Sequence, residues 1–193
     1  MASAAEKLLI SREDYLAGEL VADRKHEYVA GNVYAMAGGS ANHETIAGNF
    51  RSEAGFGLKG KPCRPFGSDF LVRVPLPNAE ESFYYPDGMI VCEPVGGDDR
   101  FTDKPVVILE VLSESTRRND EVQKLRDYFI LPSLQVYLLA ETEEPTIRVY
   151  RREGENFKLS FVQGMEAVLS LPEVGLELPL AELYRDVEFS SEE

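Results

Sequence analysis

Glu110 lies in the middle of an apolar run, and its position constrains the fold more than any other feature of the chain. Residues 106–112 are apolar apart from this glutamate, and Pro105 and Ser113 bound the run. Such a short apolar segment is typical of a buried strand. An ionised carboxylate taken out of water costs several kcal/mol unless a cation or hydrogen bonds compensate. The sequence therefore predicts that Glu110 has a dedicated partner inside the fold.

A second carboxylate, Asp87, stands at the mouth of another apolar segment, residues 88–92. Side chains alternate between the faces of a strand, so Glu110 shares a face with Ile108 and Leu112, and Asp87 shares one with Met89. If the two strands are neighbours, both acids can bind one Mg²⁺ ion, which prefers carboxylate oxygens and water. The alternative is a structural glutamate that accepts backbone hydrogen bonds or pairs with an arginine.

Composition predicts one soluble domain. The 193 residues are 44% hydrophobic and 28% charged, which is ordinary for a globular protein. We expect a single domain over residues 1–193, with an acidic tail disordered from about residue 187. No apolar stretch approaches the length of a membrane span, so we expect a cytoplasmic protein that does not contact membranes. Cys63 and Cys92 lack metal-ligand spacing and are expected to be two reduced thiols.

The net charge of −14 argues against a protein that coats nucleic acid, because phosphate contacts need clustered Lys and Arg side chains. It does not exclude an enzyme that acts on nucleic acid, since carboxylates can cluster at a metal site.

The order of elements predicts an α+β fold with a central mixed sheet. A capping box at Ser11 predicts a helix over about 12–20, and residues 25–36 predict a hairpin that turns near Gly31 and Asn32. Ser40 predicts the cap of a second helix, with His43 in its first turn. Strands are expected at 70–74, 88–92, 106–112, 136–139, 147–150 and 156–162. Capping residues at 113–116 precede a helix predicted over about 118–130, and a short helix is predicted near 181–184.

The chain resembles the PD-(D/E)XK restriction-endonuclease-like superfamily, and within it the Uma-two family, also called domain of unknown function eight-twenty. Asp87 after Pro86, the strand end that begins at Glu110, and a helix carrying Asp120 and Lys124 carry the resemblance. Glu27 in the hairpin and His43 at the start of a helix extend it over most of the chain. The resemblance implies a central mixed sheet flanked by helices, with an N-terminal helix and hairpin.

The resemblance also implies a Mg²⁺- or Mn²⁺-dependent DNA endonuclease that works as a homodimer. Asp87 and Glu110 would bind the metal, and Glu27 would be a third acid. The superfamily's usual lysine lies two residues after the second acid, where this chain has Leu112. Either the activity is lost or another lysine replaces it, and Lys124 is the natural candidate.

The helical spacing leaves the role of Lys124 open. Val122, Leu125 and Phe129 form the predicted apolar stripe, and Lys124 falls on a different face, with Asp120 four residues before it. An exposed Asp120–Lys124 pair is the plainer interpretation, and catalysis would require that this face lie over the strand ends.

His43 could meet a phosphate or shuttle a proton, or it could be a hydrogen-bonded residue of the first helical turn. Asp69 could orient a basic side chain or support the metal site from outside, or simply cap a turn.

Two other functions fit the sequence besides a DNA endonuclease. The chain could be a catalytically degenerate nuclease fold that serves as a binding or assembly module, which Leu112 and the acidic surface favour. It could also be a metal phosphoesterase that acts on small nucleotides.

Overall fold

Three β-sheets and several helices make up the part of the chain that the structure describes. The computed structural model describes residues 9–113 and 117–189. In this part of the chain the helices are α1 (Arg12–Glu19), α2 (Ala41–Gly57), a π-helix (Asn119–Lys124), α3 (Leu125–Tyr128) and α4 (Leu180–Leu183), and a 3₁₀ turn lies at Pro77–Ala79. The strands are β1 (His26–Val29), β2 (Asn32–Ala35), β3 (Arg64–Gly67), β4 (Leu71–Pro75), β5 (Glu81–Tyr84), β6 (Gly88–Val91), β7 (Phe101–Thr102), β8 (Pro105–Val111), β9 (Val136–Ala140), β10 (Thr146–Glu153), β11 (Asn156–Gln163), β12 (Val168–Leu171) and β13 (Leu176–Pro179). The predicted α+β class is confirmed.

A mixed six-stranded sheet forms the centre, in the order β11-β10-β9-β8-β6-β3. β8 runs parallel to β9 and antiparallel to β6. On one face Ile46, Phe50 and Ala54 of α2, and Leu58 directly after it, pack against the sheet, together with β12, β13 and α4. This stripe matches the predicted one. The other face carries Ile108 and Leu112 of the β8 region, under Tyr128. Because faces alternate along β8, Glu110 lies on this second face.

A second sheet, in the order β2-β1-β5-β4-β7, holds the N-terminal hairpin. α1 begins at the predicted cap, where the Ser11 side chain accepts a hydrogen bond from the Asp14 backbone N–H. Tyr15 of α1 stacks on Tyr28 of β1, with ring centroids 5.1 Å apart. The hairpin turn lies at Ala30 and Gly31, one residue earlier than predicted, and both adopt positive φ angles of 44° and 85°. Glycine tolerates this conformation better than other residues.

The prediction of two reduced thiols is wrong in this structure, because Cys63 and Cys92 form a disulfide. Cys63 directly precedes β3 and Cys92 directly follows β6. These strands pair antiparallel, with Arg64 opposite Val91, so the next position of the ladder brings the two cysteines together. Their separation of 29 residues in sequence conceals this contact.

The predicted apolar stripe of the helix after β8 is wrong at Val122, whereas Leu125 and Phe129 pack against the core as predicted. Val122 is 63% exposed, whereas Asp120, Lys124, Asp127 and Tyr128 are buried. From Asn119 the segment winds as a π-helix and then as α3, so the spacing of an α-helix does not apply across it. Residues 114–116, which include most of the predicted capping run, lie outside the described residues.

Strands β12 and β13 and α4 complete the α2 side of the core. Past α4, Val187 and Phe189 pack against that core, and the Asn42 amide nitrogen donates to the Glu188 carbonyl at 2.7 Å. Residues 190–193 of the predicted disordered tail lie outside the described residues. Among the described helices, none is both long enough and apolar enough to cross a membrane.

Candidate active site

Asp87, directly before β6, lies beside Glu110 of the neighbouring strand β8. Gly88 is the cross-strand partner of Leu109 in the β6–β8 ladder, so Asp87 comes next to Glu110 at the end of that ladder. Asp87 Oδ2 accepts a hydrogen bond of 2.7 Å from the Val111 backbone N–H, which fixes its carboxylate against β8. The predicted pairing of the two acid-bearing strands is therefore confirmed.

Glu110 has the partner that its burial demands. Its side chain is 3% exposed. Glu110 Oε1 accepts a hydrogen bond of 2.9 Å from the Tyr128 hydroxyl and another of 3.1 Å from Lys124 Nζ. No arginine takes part in these two contacts, so the partner is a lysine and a tyrosine from the segment that follows β8.

Lys124 is the centre of the cluster. Its ammonium lies 2.9 Å from Glu27 Oε1, 3.1 Å from Glu110 Oε1 and 3.3 Å from Asp120 Oδ1, and its side chain is 6% exposed. The π-helix turns both Asp120 and Lys124 toward the strand ends, an arrangement that often marks functional sites. The face that carries Lys124 therefore lies over β8 and not in solvent.

Glu27 joins the cluster from the second sheet. It lies on β1, directly across from Tyr34 on β2, and its 2.9 Å contact with Lys124 links the hairpin to the central sheet. The N-terminal hairpin thus forms one wall of the site.

His43 completes the cluster from the first turn of α2, where Ser40 accepts a hydrogen bond from its backbone N–H. His43 Nε2 lies 3.1 Å from Asp87 Oδ2. A Cβ atom on Gly39 would lie 2.6 Å from His43 Nδ1, so only glycine leaves room for this ring. Burial alone lowers the pKa of His43, but the hydrogen bond and the charge of Asp87 outweigh it and raise the pKa above its ordinary value.

Negative charge is in excess at this site. Four carboxylates (Glu27, Asp87, Glu110 and Asp120) surround the Lys124 ammonium and the His43 ring. Burial, and then the charges of the other three acids, raise the pKa of Glu110 well above its ordinary range, although Lys124 opposes them. Burial lowers the pKa of Lys124, but the surrounding carboxylates outweigh it and raise that pKa. The cluster therefore favours any added positive charge, whether a proton or a metal ion.

The donor chemistry fits a hard divalent cation, since carboxylate oxygens and excess negative charge are what Mg²⁺ and Mn²⁺ select. Across residues 9–113 and 117–189, however, no group of three or more His, Cys, Asp or Glu side chains has the arrangement of a formed metal site. The Lys124 ammonium lies between three of the acids. Asp87 and Glu110 are the residues that would hold the metal.

Two cavities adjoin the cluster. The smaller, of about 50 Å³, is lined by His43, Asp87, Glu110, Asp120 and Lys124 together with parts of the 36–39 loop. The larger, of about 390 Å³, lies between the hairpin and the π-helix and is lined partly by Glu27 and Lys124. Lys124 lines both cavities, so the acid cluster adjoins a cavity that is large enough for part of a ligand.

The family model of Uma2, described as "Putative restriction endonuclease", matches residues 12–181. This chain belongs to the Uma2 family. Two uncharacterised proteins of Synechocystis are each 32% identical to this Uma2 protein. The match to slr1290 covers 93% of this chain and 94% of that one, and the match to sll1609 covers 80% and 87%.

A crystal structure described as a putative nuclease belonging to DUF820, from Anabaena variabilis, has the same fold as this Uma2 protein. The two align with a TM-score of 0.68 at 17% sequence identity, over 84% of this chain and 91% of that one. The fold is therefore restriction-endonuclease-like, as the resemblance implied.

The Uma2 cluster includes every predicted site residue except Asp69. Asp87, Glu110, Lys124, Glu27, His43 and Asp120 all line the two cavities. The Asp69 side chain is 88% exposed and pairs with Lys25 at 2.6 Å. Leu112, at the position of the usual lysine, is fully buried in the apolar core, and the Lys124 ammonium lies 3.1 Å from Glu110 Oε1.

Sequence reasoning missed two features of this site. Tyr128 donates to Glu110, and its only signal was its four-residue spacing from Lys124. A network of charged side chains supports the π-helix from outside: Glu141 pairs with Arg117 and Arg148, and Arg148 pairs with Glu121 of the π-helix at 2.8 Å. Only Arg117 and Glu121 are at helical spacing, and nothing in the sequence signals that Glu141 and Arg148 join them.

Proposed function

We propose that this Uma2 protein is a metal-dependent DNA endonuclease that hydrolyses phosphodiester bonds. One observation carries the proposal: Asp87, directly before β6, lies beside Glu110 of the adjacent strand β8, with the Lys124 ammonium 3.1 Å from Glu110. The descriptions of the Uma2 family and of the similar crystal structure from Anabaena variabilis both support nuclease-like chemistry. Two acids and a lysine beside one cavity are the groups that phosphodiester hydrolysis requires.

Asp87 and Glu110 would bind Mg²⁺ or Mn²⁺. When bound, this ion supplies a Lewis acid that polarises the phosphodiester and lowers the pKa of a water molecule. The Val111 N–H and His43 orient the Asp87 carboxylate, and the Tyr128 hydroxyl orients Glu110. These contacts reduce the reorganisation that ligand binding would otherwise require.

Lys124 would stabilise the charge that develops on the phosphate oxygens. As water attacks, its oxygen bonds to phosphorus and gives up a proton to solvent, the bond from phosphorus to the leaving sugar oxygen breaks, and that oxygen takes up a proton from solvent. An ammonium held at a buried position stabilises the added negative charge more strongly than it would in water. Glu27 and Asp120 hold the ammonium at the mouth of both cavities.

Cleavage assays with matched variants test this function. Supercoiled plasmid and a single-stranded oligonucleotide are incubated with the protein in Mg²⁺ or Mn²⁺, beside Glu110→Gln and the exposed control Glu177→Gln. We expect the wild type and Glu177→Gln to cleave DNA, and Glu110→Gln to lose at least about a hundredfold in rate, as for a removed electrostatic group. The proposal is wrong if well-folded protein cleaves neither substrate and neither metal raises its melting temperature.

A catalytically degenerate binding module is the second candidate. One observation favours it: the Lys124 ammonium already neutralises part of the negative charge of Glu27, Glu110 and Asp120. In that case the Glu110→Gln variant would bind its partners as well as the wild type does. Mg²⁺ or Mn²⁺ would then not raise the stability of the protein. A metal-induced rise in melting temperature that disappears in Asp87→Asn would exclude it.

A further inference from the structure

The larger cavity beside the acid cluster has no role in the hydrolysis described above. It has a volume of about 390 Å³, within the range of small-molecule sites. Its two sides come from different parts of the fold: the β1–β2 hairpin on one side and the π-helix on the other. Lys124 and Glu27 form the wall that it shares with the cluster.

The hairpin side of the cavity is apolar and ends in an aromatic ring. Glu27 and Val29 lie on one face of β1, and Tyr34 lies directly across from Glu27 on β2. The next residue on that face, Met36, also lines the cavity. Tyr34 is 53% exposed, although large aromatic side chains usually bury most of their surface. It therefore offers a flat apolar surface at the cavity rim.

The π-helix side of the cavity carries amides. Asn119 and Gln123 line it, one turn apart, beside Lys124. The Gln123 amide nitrogen donates to Asp127 Oδ2 at 3.0 Å, and Asp127 is fully buried, so this amide is held in place. Asn and Gln amides present a donor and an acceptor side by side, as the edge of a nucleobase requires.

From this arrangement we infer that the larger cavity binds the base of one unpaired DNA nucleotide, whose phosphate then reaches Lys124 and the acid cluster. An aromatic rim, an apolar floor and paired amides match the stacking surface and the edge of a base. A paired base would not expose its Watson–Crick edge or its stacked faces to such a cavity. The inference rests on the proposed function and adds its substrate class: DNA that already presents an unpaired nucleotide, such as a single strand.

The charge of the protein supports this kind of binding. With a net charge of −14, the surface gains little from contacts to the phosphate backbone. Stacking on an aromatic ring contributes affinity without phosphate contacts, and it is sequence-tolerant because every base has a flat face. An acidic nuclease therefore gains from a base pocket beside its catalytic acids.

Binding in EDTA tests the pocket apart from catalysis. The probes are a short fluorescent single-stranded oligonucleotide, the same strand with abasic nucleotides, and the blunt duplex. We expect the single strand to bind at least about tenfold more tightly than the abasic strand or the duplex, a factor consistent with stacking of one base. Equal binding of the abasic strand, or of the duplex, would overturn the inference.

Single-residue variants test whether the oligonucleotide binds in this cavity. Tyr34→Ala should weaken binding of the single strand about tenfold, and Tyr34→Phe should retain it because the ring is kept. The matched control is Phe161→Ala, an aromatic residue on β11 that is 54% exposed and does not line the cavity. Circular dichroism confirms that each variant is folded. Tyr34→Ala and Phe161→Ala with equal affinities would overturn the inference.

The result also separates this inference from the proposed function. Base-dependent binding without cleavage in Mg²⁺ or Mn²⁺ would support the pocket and contradict the nuclease. Cleavage without base-dependent binding would support the nuclease and contradict the pocket.

Discussion

Lys124 Nζ lies 3.1 Å from Glu110 Oε1, although one residue belongs to a π-helix and the other to the central strand of the sheet. The same ammonium contacts Glu27 from the second sheet. One lysine therefore joins the hairpin, the π-helix and the central strand. Its removal should affect both stability and chemistry, and the two effects can be measured separately.

Lys124→Met should destabilise the fold in a pH-dependent way. Methionine keeps most of the side-chain volume but leaves Glu27, Glu110 and Asp120 without their shared cation. Loss of one partner of a buried ion pair costs about 3–5 kcal/mol. Burial already raises the pKa of Glu110, and a raised pKa in the folded state means stability that is present at low pH and lost as pH rises. The loss should therefore be smaller at about pH 5 than at about pH 8.

Urea unfolding of the wild type and Lys124→Met at the two pH values measures this effect. The control is Lys158→Met, since the Lys158 side chain is 69% exposed and should change stability by less than about 1 kcal/mol. A loss that does not depend on pH would mean that packing, and not charge, explains the destabilisation.

The fold was largely predictable from sequence because its signals are local. Ser11 and Ser40 cap their helices as expected, and the α2 stripe of Ile46, Phe50 and Ala54 is fully buried. Alternation along β8 placed Glu110 on the correct face. The π-helix was not predictable, because its buried side is polar and Val122 lies outside.

The site was predictable as a set of residues but not as an arrangement. Glu110 stands inside an apolar strand and Asp87 directly before one, and a carboxylate is conspicuous at both places. The inward position of Lys124 could not be predicted, because it depends on the π-helix. Tyr128 could be recognised as part of the site only once Lys124 was placed beside Glu110. The disulfide of Cys63 and Cys92 follows from the β3–β6 register, which depends on pairing between distant segments.

Lys124→Met should also tighten metal binding while it removes cleavage. The ammonium repels a divalent cation and occupies a lone pair of Glu110 Oε1. Without it, we expect Mn²⁺ to bind at least about tenfold more tightly, since charges a few Å apart interact by a few kcal/mol near a protein surface. Isothermal titration calorimetry measures the affinity, with Asp87→Asn as the variant that should lose it. Weaker Mn²⁺ binding in Lys124→Met would show that the lysine supports the metal site.

Glu141→Gln should lower stability at neutral pH but not at acidic pH. Burial alone raises the pKa of Glu141, but the hydrogen bonds and charges of Arg117 and Arg148 outweigh it and hold the pKa below its ordinary range. A lowered pKa in the folded state gives stability that is present above the unfolded pKa, about 4.3, and is lost as pH falls through the folded pKa.

We expect the Glu141→Gln loss to be about 1–3 kcal/mol near pH 7 and to shrink below about pH 4. Urea unfolding measures it, beside Glu153→Gln, whose side chain is 62% exposed. Because Glu121 of the π-helix belongs to the same network, Glu141→Gln should also slow DNA cleavage. Equal losses at both pH values would contradict the assigned role of the two arginines.

Gly88→Ala should destabilise the protein and disturb Asp87, its neighbour in sequence. A Cβ atom at Gly88 would lie 2.7 Å from Phe50 Cδ1 and 2.9 Å from Cε1, and the fully buried Phe50 ring has no room to withdraw. Overpacking of this kind costs about 1–3 kcal/mol. Gly97→Ala is the matched control, because nothing lies within 4 Å of a Cβ there. Thermal unfolding should show a lower melting temperature for Gly88→Ala alone, partly restored when Phe50→Leu is added. Equal melting temperatures for the two alanine variants would mean that Phe50 yields without cost.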